Sequence, residues 1–266
     1  MSTHLTSPEA QPGASGALAQ STVGQWQRFF AFLRRPVLPD RALPPSRDGL
    51  VAVVRMLGLD ALAMGVLMAI AGAVIALGFD LPETALADMD ITPALLALVV
   101  VAAPIGEELV FRSWLSGRPG HVLGAILFAI FTLVATGVLG ATVFKGSDPV
   151  VSGVASLITG GAIGMVAAAA VVFALRRRGA MRWFQRLFPL FYWLSVLAFA
   201  GVHVFNFAGQ AWWLVLPLVI PQFVLGAILG YLRVNFGLWA NILTHAVHNG
   251  TILGFVLLAS ALVGGE

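Results

Sequence analysis

The chain has 266 residues, of which 59% are hydrophobic and only 10% charged, and its mean hydropathy is +0.93. Soluble domains carry about a quarter of their residues as charges, so a soluble fold is excluded, and the absence of cysteine removes any disulfide framework or thiolate metal site. The composition reads as an all-α, polytopic membrane bundle of about seven transmembrane helices, preceded by an N-terminal interfacial helix.

In chain order, residues 1–21 are rich in Ser, Ala, Gly, Thr and Gln without apolar periodicity, which predicts a disordered tail and not a cleavable signal peptide. Residues 22–36 mix Trp26, Phe29, Phe30 and Phe32 with Arg28, Arg34 and Arg35, the pattern of an amphipathic helix lying on a membrane surface. A proline-rich linker (Pro39, Pro44, Pro45) completes the segment 22–49. The membrane domain, 50–266, then holds seven apolar segments at 50–78, 92–114, 121–144, 150–175, 187–206, 211–232 and 237–262. At a rise of about 1.5 Å per residue each can cross a hydrocarbon core of about 30 Å.

Fourteen of the fifteen basic residues are arginines, and most flank these segments. Arg28, Arg34, Arg35, Arg41 and Arg47 precede span one, Arg112 and Arg118 follow span two, and a run from Arg176 to Arg186 follows span four. The other side holds Lys145 and the acidic stretch Asp80, Glu83, Asp88 and Asp90. The positive-inside rule therefore predicts a cytoplasmic N-terminus and a C-terminus across the membrane, and Ala/Arg-rich usage fits a bacterial inner membrane. The pI near 10.2 is on this reading a topology signal, with no nucleic-acid partner.

Ionisable groups inside apolar spans are costly and mark function by default. Span two carries Glu107, Glu108 and Arg112; span five carries Phe199 and His203; span seven carries His245, His248 and Asn249. Asn206, Gln222 and Asn241 add uncharged polar groups, and Arg55 and Asp60 in span one read as structural. Adjacent glutamates on a helix point about 100° apart, so Glu108 can pair with Arg112 at i,i+4 while Glu107 faces a different neighbour. Pro104 and Gly106 predict a kink just before the acidic pair. A carboxylate with an imidazole can deprotonate a water, and a second imidazole with a carboxamide on its own helical face can donate to a developing oxyanion. That set suffices for amide hydrolysis without a serine or cysteine nucleophile.

These residues also form an ordered series of motifs. Glu107-Glu108-Leu-Val-Phe-Arg112 reads E-E-x-x-x-R, Phe199-Ala-Gly-Val-His203 reads F-x-x-x-H, and His245-Ala-Val-His-Asn249 reads H-x-x-x-N. In this the chain resembles the CPBP group of intramembrane proteases, the CAAX-protease and bacteriocin-processing (Abi) family, over residues 95–256. The resemblance implies an intramembrane glutamic endopeptidase acting on a membrane-associated peptide or protein amid lipid. Glu107 would activate water with help from His203, His245 and Asn249 would stabilise the oxyanion, and Glu108, Arg112 and Phe199 would support them. The stretch from Ser113 to Val202 departs from the family by holding two extra spans, 121–175.

No cofactor is expected: H-E-x-x-H, the usual helical grip on zinc, is missing, and a metal, if used, would fall to Glu107, His203 and His245. Two other readings of the polar set are a catalytically idle immunity or scaffold protein of the same fold and a small proton-coupled transporter. For His203 to reach the depth of Glu107, the helix of span five is expected to start early and include Arg182 and Arg186.

Overall fold

The computed structural model describes residues 18–82, 84, 91–207 and 211–263. Most of the tail read as disordered, and Glu83, Asp88 and Asp90 of the acidic stretch, lie outside the described residues. All regular structure among the described residues is helical, and seven helices are long and apolar enough to cross a membrane: Arg47–Ala76, Pro93–Phe111, Pro119–Ala141, Val151–Ala174, Phe188–Asn206, Trp212–Phe236 and Leu238–Leu258. The protein is thus an integral membrane helical bundle.

Helix starts follow local chemistry. α1 (Thr22–Arg34) and α2 (Arg47–Ala76) begin where Ser21 and Ser46 accept hydrogen bonds from the amides of Gly24 and Gly49, both at 3.1 Å. Thr92 caps α3 (Pro93–Ala97) in the same way. The chain then passes through a π turn, Leu98–Ala102, into α4 (Ala103–Phe111). Where a kink was expected, the chain forms a π turn on the N-terminal side of Pro104, which offers no N–H to the carbonyl behind it.

After a 3₁₀ turn, Ser113–Ser116, α5 (Pro119–Ala141) and α6 (Pro149–Ala174) form an antiparallel hairpin packed along its length. The short α7 (Arg182–Arg186) precedes α8 (Phe188–Val202), which runs into a 3₁₀ turn, His203–Asn206. This corrects the expectation for span five: the transmembrane helix starts at Phe188 and excludes Arg182 and Arg186. Leu187 leaves the helical region at φ −94°, ψ 9°, and Pro189 begins a new helix because its missing N–H costs nothing in a first turn. Span six is also composite. α9 (Trp212–Val215) and a 3₁₀ turn, Leu216–Val219, lead into α10 (Ile220–Phe236), with Pro217 and Pro221 at the two breaks. α11 (Leu238–Val263) follows directly, Gly237 turning the chain at φ +95°.

α10 is the central helix, buried without interruption from Leu225 to Phe236 and packed on α2, α8 and α11. Gly226 and Gly230 let α8 approach closely: an added Cβ would stand 3.2 Å from Phe199 and 2.8 Å from Tyr192. α1 docks on the same core, with Phe29 against Tyr231 and the Gln25 carboxamide donating to the Tyr231 hydroxyl at 2.9 Å.

Candidate active site

The site is centred on Glu108, which is fully buried. One carboxylate oxygen pairs with the Arg112 guanidinium one turn along and accepts from His245 Nδ1 at 2.8 Å; the other accepts from the Asn241 carboxamide. Arg112, also fully buried, lies 4.0 Å above the Phe199 ring. Phe199 meets Phe111, His203 and His245 edge-on, so the F-x-x-x-H phenylalanine is a hub of the site and not merely a neighbour of the histidine. Arg233 of α10 holds the far side, donating to the carbonyls of Arg112 (3.0 Å) and Ser113 (2.6 Å), and Ser195 of α8 donates to the carbonyl of Phe111 at 2.6 Å. The backbone leaving α4 is thereby tied to two other helices.

Glu107 has a different environment. Its side chain is 31% exposed, against none for Glu108, and its Oε2 has no hydrogen-bond partner among the described residues. That oxygen stands 3.8 Å from His245 Nε2, too far for a direct hydrogen bond. His203 is near enough for its charge and that of Glu107 to interact, and its Nδ1 lies 2.7 Å from the Phe199 carbonyl. Both imidazoles are thus held by Nδ1, which leaves each Nε2 for other partners.

Asn249 sits one turn beyond His245, its Nδ2 donating to the Val99 carbonyl at 2.9 Å. That carbonyl is orphaned by the π turn: the Ala103 amide bonds back to Leu98, and residue 104, next in line, is a proline. One amide hydrogen of Asn249 therefore satisfies the broken helix of span two, and the second is left over.

The fold brings Glu107, Glu108, Arg112, Phe199, His203 and His245 into one cluster, with Asn249 against the same span. Asn241 and Arg233, which the sequence reading did not place in the site, complete it. Asn241 lies four residues before His245, so shared helical face was the available signal. His248 instead pairs with Asp60 of α2 at 2.6 Å, and Arg55 donates to the carbonyls of Ala19 and Gln20. Among the described residues no three His, Asp or Glu side chains converge as metal ligands; Glu108 and His245 Nδ1 are committed to one another and to Arg112 and Asn241.

A buried Glu–Arg–His–Asn network thus lies inside the membrane bundle with a second, half-open glutamate beside it. A family model described as type II CAAX prenyl endopeptidase Rce1-like matches residues 90–251, more than half of the chain and all three motifs, and the chain belongs to that family of membrane proteases. No curated protein and no solved structure matches it.

Proposed function

We propose that this protein is an intramembrane endopeptidase that hydrolyses a peptide bond of a membrane-associated peptide or protein with a water activated by Glu107. The observation that carries the reading is the division of labour between adjacent acids. Glu108 is saturated by Arg112, Asn241 and His245, whereas Glu107 keeps an unbonded oxygen 3.8 Å from His245 Nε2, so that one water set to the side of the pair can hydrogen-bond to both.

Glu107 takes a proton from that water, and the hydroxide adds to the scissile carbonyl. The new oxyanion is met by Nε2–H of a protonated His245 and by the second amide hydrogen of Asn249. Collapse of the intermediate returns the proton through Glu107 to the leaving amine, with His203 steadying the carboxylic acid. The buried Glu108 holds the His245 ring at Nδ1, as the carboxylate of a hydrolase triad orients its histidine. The family's description points to peptides ending in a prenylated cysteine motif as the first substrates to try.

The test is cleavage of a farnesylated CAAX peptide and of matched unmodified peptides by purified protein, with and without chelator. Glu107→Gln and His245→Ala are expected to lower turnover by about 10³-fold or more with folding retained, and chelator to have no effect. Unchanged turnover in Glu107→Gln would overturn the assignment, and chelator-sensitive turnover would replace the glutamate mechanism by a metal one.

A further inference from the structure

Two cavities beside the catalytic cluster share a wall. The first, of about 350 Å³, lies between α4, α5 and α6 and is lined by apolar side chains, among them Leu109, Ala125, Phe128, Ala168 and Val172. The second, of about 290 Å³, opens between the linker after α1 and the turn before α5 and is lined by Arg41, Arg118 and Asp40. His121 and Arg233 line both, so an apolar slot and a basic mouth lie side by side with these two side chains between them. Each is near the lower end of ligand-pocket sizes, about 300–1,000 Å³.

Charge and depth agree on what fits. Three arginines, Arg41, Arg118 and Arg233, line the mouth with one acidic residue, Asp40, and among the described residues none of the four forms an ion pair. Arg118 immediately precedes α5, at the end of the hairpin that Arg176, Arg177 and Arg178 also flank. The slot runs from His121 to Phe128 along α5, about 10 Å of helical rise into the apolar span. A charged mouth at the helix end and an apolar slot leading inward match one phospholipid in a leaflet.

We propose that this groove is a binding site for an anionic phospholipid, the phosphate held by Arg41, Arg118 and Arg233 and an acyl chain lying between α5 and α6. Such a lipid would touch Leu109 and lie beside Ser113, whose carbonyl Arg233 holds, without entering the catalytic cluster. Arg233 is shared between this groove and the support of the catalytic cluster, so the test reads lipid binding alone and not turnover.

The full chain, purified in detergent, is titrated with dioleoyl phosphatidylglycerol, with dioleoyl phosphatidylcholine, and with glycerol 3-phosphate, which has the phosphate and no chains. Bound lipid is counted by native mass spectrometry and the unfolding midpoint is followed. Phosphatidylglycerol is expected to bind about tenfold or more tightly than phosphatidylcholine and to raise the midpoint, with no effect of glycerol 3-phosphate. Arg41→Gln with Arg118→Gln, both outside the core, is expected to erase the preference. Ala168→Phe, which fills the slot, is expected to weaken both lipids. Equal binding of the two lipids, or a preference that survives the double arginine variant, overturns the proposal. So does a midpoint shift by glycerol 3-phosphate equal to that by the lipid, or undiminished lipid binding in Ala168→Phe; should that variant not fold, the arginine variant decides alone.

Discussion

Two neighbouring glutamates of identical chemistry are separated here by burial. Replacing Glu108 by Ala strands the Arg112 charge and takes a partner from His245 and Asn241, so the unfolding free energy is expected to fall by about 3–5 kcal/mol. Glu107→Gln, at a half-open position, is expected to leave the unfolding midpoint where it was; denaturation of the two variants in parallel checks the contrast. Asn249→Leu removes the donor to the Val99 carbonyl and is expected to cost about 1 kcal/mol. The loss should shrink in a Pro104→Ala background, where residue 104 regains an N–H able to reach that carbonyl; an equal loss in both backgrounds would contradict this account of the π turn. The Glu108–Arg112 pair was readable from i,i+4 spacing alone. Asn241 and Arg233 were not, because a polar residue on a helix declares its face and not the atom it will meet.

At the scale of elements, contacts between helices set the geometry. Asp60 on α2 and His248 on α11 form a nearly buried pair, 5% and 12% exposed, which fixes the rotation of the helix that also presents His245 and Asn249. A double-mutant cycle of Asp60→Leu and His248→Leu is expected to show a coupling of about 0.5–3 kcal/mol, with additive costs refuting the tie. The α5–α6 hairpin depends on close approach. A Cβ at Gly164 would fall 2.4 Å from the Thr132 hydroxyl and 2.7 Å from the Phe128 carbonyl, whereas one at Gly161 meets nothing within 4 Å. Gly164→Leu is therefore expected to destabilise by about 1–3 kcal/mol and Gly161→Leu to be tolerated, as measured by thermal unfolding. Hydropathy located every span and began the fifth at residue 187, where the depth required of His203 wrongly carried it back to Arg182, but it smoothed over the composite form of span six. Windowed apolarity does not register the changes of helix type at Pro217 and Pro221.

For the whole molecule, the arginine clusters at alternate helix ends predict that the N-terminus faces the cytoplasm and, with seven spans, that the C-terminus faces the opposite side. Reporter fusions at each end should report opposite compartments; agreement between the two ends would mean that one apolar helix does not cross. The composition alone determined that the chain lives in lipid, because a sequence so poor in charge has no other solvent, and the order of its polar motifs was enough to place it near a family of proteases. Which glutamate is shielded and which is open, what Asn249 holds, and which acid His248 finds were decided only when α2, α4, α8, α10 and α11 came together. A helix prescribes the angles between its own side chains, but the dielectric and the hydrogen-bond partner of each come from neighbours distant in the chain.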